Sequence, residues 1–301
     1  MDTAVIPQKK QGRFATSYQL AKESFSFLRK DPEMLWFPIL EMLAGIAFLA
    51  IVAAAGYVAY QNGMLPSISE GADGGEAPLT YVEYMFMAVV YLGLAFIGAM
   101  GQGAIVAVAH KRMQGIDPTF KDGARAVFER LPALFLWAVF TATVGVILRF
   151  IGERLGWLGK LFDFAGQVAW SLLTFFIVPV LVIEKQSVPA SIRRSAGIFK
   201  QRWGEALITS VGLGAFFGAL MLGVILLFGG LLIVSVIMES FVTTFILFIA
   251  MLGSLLVLGL VQGTLSTVFK TVLYEYAATG IIPSAFSPEL VTGAFQAKGK
   301  A

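Results

Sequence analysis

Residues 169–203 decide the fold, and they read AWSLLTFFIVPVLVIEKQSVPASIRRSAGIFKQRW. The stretch begins as a continuous apolar run that passes through a proline and ends at Glu184 and Lys185. A short turn with Pro189 follows, and then a segment with basic residues on one face and aromatic residues on the other. A second apolar run begins at about Ala206. This order predicts a membrane-spanning helix, a turn, a short amphipathic helix and the next spanning helix.

The composition points to a membrane protein. Of the 301 residues, 57% are hydrophobic and only 14% are charged, whereas a soluble domain carries about a quarter charged residues. The absence of cysteine excludes disulfides, thiol catalysis and cysteine-ligated metals. His110 is the single histidine, so a site built from several histidines is excluded too. The first apolar run starts near Met34, behind a polar segment, which is late for a cleavable signal peptide.

Six apolar runs predict six spanning helices, because a helix needs about 20 apolar residues to cross a bilayer. The predicted spans are 34–60, 80–109, 133–151, 162–183, 206–234 and 241–274. We expect a disordered tail over residues 1–12, a single membrane domain over 13–279 and a cytoplasmic tail over 280–301. The predicted fold class is therefore an all-α polytopic membrane helix bundle.

Three shorter segments have the spacing of amphipathic helices, and they cover residues 14–30, 120–131 and 190–203. In the second segment, the predicted apolar face consists of Phe120, Ala124, Val127, Phe128 and Leu131. Turns of related spacing occur as GIDPTF at 115–120, SVPASI at 187–192 and GIIPSAF at 280–286. These turns indicate a threefold repeat of an amphipathic helix and a hairpin. The alternative is convergent turn chemistry, since Gly and Pro end any membrane helix.

The basic residues predict the orientation. They are concentrated near the N-terminus, in residues 110–130, in residues 185–202 and in the tail, although three more lie between 149 and 160. The loops after the first and fifth spans are acidic or nearly uncharged. By the positive-inside rule, both termini and the amphipathic segments face the cytoplasm. We therefore expect a multi-pass protein of the cell (inner, cytoplasmic) membrane.

Polar residues inside the predicted spans are costly and are candidates for function. Glu41 lies about two turns into the first span, and Gln102 and Gln262 each precede a glycine in the second and sixth spans. In one reading Glu41 is a proton or cation site, and the two glutamines line a path. In the other, Glu41 reaches the interface or makes one buried hydrogen bond, and the glutamines form interhelical hydrogen bonds.

The third amphipathic segment carries the candidates for lipid headgroup contact, which are Arg193, Arg194, Lys200 and Arg202. A basic face beside aromatic residues suits the headgroup layer and attracts anionic lipid. The alternative is a structural helix that joins one hairpin to the next. The expected partners are the bilayer, with its anionic headgroups, and a membrane protein. Topology already explains the basic residues, so no nucleic-acid partner is expected.

Three stretches resemble a known family. They are SFSFLRKDPEMLWFP at 24–38, PVLVIE at 179–184 with ASIRRSAGIFKQRWG at 190–204, and YAATG at 276–280 with FSPEL at 286–290 and GAF at 293–295. The family comprises prokaryotic integral membrane proteins with six helices and no assigned function. More loosely, the layout looks like the membrane domain attached to some bacterial glycerophosphodiester phosphodiesterases. The resemblance implies a fold and a membrane location, and it supplies no catalytic residues.

The sequence contains no HExxH motif, no P-loop and no Ser–His–Asp pattern at a plausible site. We therefore expect no enzyme activity, no cofactor and no metal. The first functional hypothesis is a non-enzymatic scaffold or accessory protein that contacts lipid or a membrane partner. The alternative is a transporter or channel-like protein for a small or lipidic solute. A lipid-modifying enzyme ranks last, because the chain offers few groups that could act as nucleophile or base.

Overall fold

A computed structural model describes residues 25–63, 81–154 and 159–280, except Phe27 and Lys30. Within these ranges it leaves out the side chains of residues 81–84, 149–150, 153, 163 and 201–213. Every regular element described is helical, as the fold class predicted. In order, these elements are a 3₁₀ turn (Pro32–Leu35), α1 (Trp36–Gln61), α2 (Tyr81–Met113), α3 (Phe120–Glu129), α4 (Leu131–Arg154), α5 (Gly159–Leu173), a helical turn (Ile177–Pro179), a π-helical segment (Val180–Glu184), α6 (Val188–Ile237) and α7 (Phe241–Thr279).

Among the described residues, six helical stretches are long and apolar enough to cross a membrane, in agreement with the predicted number. They are Pro32–Gln61, Met85–Met113, Leu131–Leu148, Gly159–Glu184, Gly214–Ile237 and Phe241–Thr279. Large apolar side chains cover their outer surfaces; Ile51, Leu226 and Phe245, for example, are 58 to 68% exposed. Apolar surfaces of this extent are rare on soluble monomers and are typical of helices that face lipid.

The three predicted amphipathic segments have different outcomes. The second is α3, which ends at Glu129. The first, at 14–30, lies almost entirely outside the described residues. The third, at 190–203, is not a separate helix but the first part of α6, which runs without interruption from Val188 to Ile237. Residues 190–237 contain no proline, so nothing in the backbone forces the helix to end between the two segments.

The chain divides into two compact units, and α6 contributes to both. The larger unit consists of Trp36–Arg112 and Asp117–Gly197. Its core surrounds the second half of α2, where residues 103–109 are all buried. Fully buried side chains from three other elements complete this core, namely Leu134 of α4, Leu181 of the π-helical segment and Val188 of α6. The single membrane domain predicted over 13–279 stays a prediction.

The smaller unit comprises Met1–Leu35, Met113–Ile116 and Ile198–Ala301. In its described part, the 3₁₀ turn packs against α7, and Met34 of that turn is fully buried. The second half of α7 supplies further buried side chains, which are Leu265, Val268, Phe269, Val272 and Leu273. Gly280 ends α7 in the left-handed conformation, with φ of 75°, and its N–H donates to the carbonyl of Tyr276.

Candidate functional site

Glu41 lies at the contact between α1 and α2, which we call the seam, where glycines leave room for the side chains of the other helix. Its carboxylate rests directly on Gly101, where any Cβ would overlap it. A Cβ at Gly98 would lie 3.4 Å from Glu41 Oε1. Glu41 is half-buried, and it forms no hydrogen bond or ion pair within the described part of the chain. The seam therefore holds a carboxylate without giving it a polar partner among those residues.

The seam continues along both helices in an antiparallel register. The ring of Phe48 lies on Gly93, where a Cβ would overlap it. A Cβ at Gly45 would lie 3.7 Å from Leu94, and one at Gly56 would lie 3.7 Å from Phe86. Glycines on each helix thus face bulky side chains of the other, and the small residues leave room for these side chains between the helices.

Of the three predicted intramembrane polar residues, Glu41 and Gln102 belong to the larger unit and Gln262 belongs to the smaller one. Gln102 follows Gly101 on α2, and its side chain is exposed. Gln262 is half-buried on α7, in the smaller unit. A path lined by Glu41, Gln102 and Gln262 therefore stays a prediction.

Asp122 joins the start of α3 to the end of α2. Its carboxylate accepts hydrogen bonds from Lys111 Nζ at 2.6 Å and from the backbone N–H and hydroxyl of Thr119 at 2.8 and 2.9 Å. The Lys111 hydrogen bond, followed by those from Thr119, lowers the pKa of Asp122 from its ordinary 3.8 to about 2. Asp122 therefore serves both as a helix cap and as a link between two elements.

Glu129 and Glu184 form a second set of ion pairs. Glu129 accepts from Lys185 Nζ at 3.0 Å and from Arg125 Nε at 3.0 Å. The hydrogen bond from Lys185 is the main reason why the pKa of Glu129 lies below its ordinary value. Glu184 accepts from Arg194 Nε at 3.0 Å, which ties α6 to the π-helical segment.

The fourth span is interrupted, although the sequence predicted it as one helix over 162–183. Helix α5 ends at Leu173, and residues 174–176 form a turn before the chain becomes helical again. Pro179 has no N–H and clashes with the carbonyl of residue 175, which disfavours a regular α-helix there. The hydroxyl of Ser195 accepts from the Phe176 N–H at 3.1 Å and donates to the Leu173 carbonyl at 2.8 Å. Ser195 therefore satisfies backbone groups that the break leaves without helical partners.

One end of the larger unit is strongly basic. Residues 110–112, 117–130 and 184–197 contain eight Lys or Arg and four Asp or Glu. All four acids are engaged by basic side chains of the same end, since Asp117 pairs with Arg112 at 2.6 Å in addition to the pairs above. Lys121 and Arg193 are exposed and have no acidic partner among the described residues.

The four predicted headgroup contacts are thus not equivalent. Arg193 is exposed and unpaired within the described chain, and Arg194 is held by Glu184. Lys200 is exposed but belongs to the smaller unit, and the side chain of Arg202 lies outside the described residues. Sequence reasoning missed Lys121. The sequence signal for Lys121 is the excess of Lys and Arg over Asp and Glu in residues 110–130. Because other basic side chains pair with these acids, some of the basic residues there must lack an acidic partner.

No group of three or more His, Asp or Glu residues that could hold a metal occurs in the described ranges.

A family model described as a family of unknown function (DUF6159) matches residues 79–284, which is more than half of the chain. No curated protein and no solved structure matches the chain. The looser similarity to the membrane domain attached to glycerophosphodiester phosphodiesterases therefore finds no support in these comparisons.

Proposed function

The chain belongs to this family of unknown function, and on that premise we propose that it is a non-enzymatic scaffold or accessory protein of the cytoplasmic membrane. Both termini face the cytoplasm, and the basic end of the larger unit contacts anionic lipid headgroups or a membrane protein partner. The six apolar helices and the basic residues next to them support this orientation by the positive-inside rule.

The observation that carries the proposal is the engagement of all four acids at the basic end. Since internal ion pairs already use these acids, Lys121 and Arg193 keep their charge for an external anion. Basic residues close to a membrane surface are attracted to anionic headgroups. If the acidic and basic side chains at this end were equal in number and all paired, we would expect no preference for anionic lipid.

The test is stabilisation by lipid of the purified full-length chain in a neutral detergent. Phosphatidylglycerol should raise the apparent unfolding temperature more than phosphatidylcholine does, because a ligand that binds only the folded state stabilises it. The double variant Lys121→Gln/Arg193→Gln should lose most of that difference. Lys160→Gln is the matched control, since Lys160 is exposed outside the basic end. An unchanged lipid difference in the double variant would refute the proposal.

A transporter or channel-like protein is the second candidate, and Glu41 is the observation that favours it. Ionisable residues inside spanning helices mark proton and cation pathways, and Glu41 has no polar partner among the described residues. In proteoliposomes with a pH-sensitive dye inside and an imposed potential, the wild type should then carry protons and Glu41→Gln should not. Absence of flux in both would leave the scaffold as the better account.

A further inference from the structure

We propose that the outward face of α3, formed by Lys121, Arg125 and Phe128, is a membrane anchor in which the Phe128 ring inserts into the lipid headgroup layer. The inference deepens the proposed function and rests on it only for the location of α3 at the bilayer surface. We call this surface the α3 anchor face, and its partner is lipid.

The adjacent face of α3, centred roughly 110° around the helix from Phe128, is already occupied. Gly123 and Val127 are buried, and the ring of Phe120 stacks on Phe37 of α1 with centroids 4.8 Å apart. A Cβ at Gly123 would overlap the Phe37 ring and lie 3.1 Å from the backbone carbonyl of Ala104. This close packing fixes the rotation of α3, and the helix cannot turn to bury other residues without losing it.

Phe128 points away from that packed face, contrary to the sequence prediction that grouped it with Phe120 and Val127. Its side chain is 68% exposed. At 3.6 residues per turn, Phe128 lies about 20° around the helix from Lys121 and about 60° from Arg125. Lys121 is exposed, and the side chain of Arg125 is 81% exposed. The face thus combines one large apolar ring with Lys121 and with Arg125, which also pairs with Glu129. This is the chemistry of helices that lie in the headgroup layer.

Chain connectivity keeps Phe128 near the bilayer. Helix α3 ends at Glu129, and the spanning part of α4 begins at Leu131. Three residues extend at most about 11 Å, so the Cα of Phe128 lies within that distance of the first residue of the span. The polar layer on each side of the hydrocarbon core is about 5–8 Å thick. Phe128 is therefore within reach of the headgroups. Its exposed ring can enter this layer without a rearrangement of α3.

The absence of cysteine makes a direct test possible, because Phe128→Cys in the full-length chain is a unique labelling site. A nitroxide label at this position is read by power-saturation electron paramagnetic resonance in phosphatidylcholine/phosphatidylglycerol proteoliposomes. Oxygen partitions into lipid and a nickel chelate stays in water. We expect the ratio of oxygen to nickel accessibility to be several-fold higher at position 128 than at Asp117→Cys. Asp117 is the matched control because its side chain is 88% exposed in the loop before α3.

Two results would overturn the inference. Equal accessibility ratios at positions 128 and 117 would mean that Phe128 faces water. Low accessibility to both reagents at position 128 would mean that protein covers it, whether a partner or another part of this chain. The proposed function fails separately: a lipid-embedded label at position 128 together with no phosphatidylglycerol effect on stability would keep the anchor and refute the preference for anionic lipid.

Discussion

Arg130 donates a hydrogen bond from Nε to the carbonyl oxygen of Leu181, 51 residues further along the chain, at 3.0 Å. Its Nη2 donates to the carbonyl of Gln186 at 2.5 Å. Lys185, between these acceptors, has φ of 53°, so the chain reverses its helical sense there. One guanidinium at the end of α3 therefore holds both sides of the turn that closes the π-helical segment.

Replacing Arg130 by Lys should destabilise the protein even though the charge is kept. An ammonium group has no planar fork and cannot reach both carbonyls in the same geometry. Leaving carbonyls of a part-buried turn without a charged donor costs about 1–3 kcal/mol. The measurement is the apparent unfolding temperature in detergent. Arg125→Lys is the control, because the contact of Arg125 among the described residues is an exposed ion pair within its own helix. Equal shifts in both variants would contradict the bridging role.

The hydroxyl of Ser195 should matter because it serves two backbone groups at the break in the fourth span. Ser195→Ala leaves the Phe176 N–H and the Leu173 carbonyl without that partner, at a cost of about 1–3 kcal/mol. Ser254→Ala is the control, since among the described residues the Ser254 hydroxyl bonds to one group, the carbonyl of Ala250 in its own helix. Thermal unfolding of the two variants should differ clearly, and similar midpoints would show that the break does not depend on Ser195.

Gly101→Ala tests the seam between α1 and α2. The new Cβ would lie 2.9 Å from Glu41 Cδ and 3.3 Å from Glu41 Cβ, so the Glu41 side chain must move. Overpacking of this kind destabilises by about 1–3 kcal/mol. Adding Glu41→Ala should recover part of the loss, because the two positions are in contact. Gly253→Ala on α7 meets nothing within 4 Å and should be neutral or slightly stabilising. A double variant no better than Gly101→Ala would reject the contact.

The low pKa of Asp122 predicts an acid-sensitive link between α2 and α3. Since folding lowers this pKa from 3.8 to about 2, the stabilisation is complete above about pH 4 and is lost as the pH falls towards 2. Asp122→Asn cannot titrate, so its unfolding temperature should fall less over that window. Asp117→Asn keeps Asp122 and should therefore keep the part of the fall that depends on Asp122. Parallel profiles for all three proteins between pH 6 and 2 would contradict the assignment.

The sequence predicted what depends on the length of apolar runs, and therefore the six spans. It did not predict the break at 174–176, because a proline in a membrane helix can kink the helix without ending it, and the partner that stabilises the break is Ser195 on another helix. It identified Glu41 as a polar residue inside the first span but not its contact, since α2 has four glycines, at 93, 98, 101 and 103, that a side chain could contact. The register between two helices is set by packing along their whole length.

The prediction for Phe128 was wrong for a related reason. Steps of three and four residues from Phe120 through Leu131 cover a wide arc of the helix, and the spacing alone does not say which part of that arc is packed. Gly123 determines which side of α3 is packed. Because it has no side chain, α3 can approach Phe37 on that side, and Phe128 is left exposed. A small residue within an amphipathic pattern can thus indicate the packed direction better than the large apolar residues do.

The antiparallel seam has a consequence for how the lengths of these helices can vary among relatives. One residue inserted between Glu41 and Phe48 would turn the rest of α1 by about 100°, and Phe48 would leave the surface of Gly93. An insertion between Gly93 and Gly101 would likewise turn Gly101 away from the Glu41 carboxylate while Phe48 stayed on Gly93. Residues added between the two helices would leave both contacts in place. We therefore expect insertions and deletions to be tolerated between α1 and α2 and to be absent within the seam, which alignment of related sequences can check.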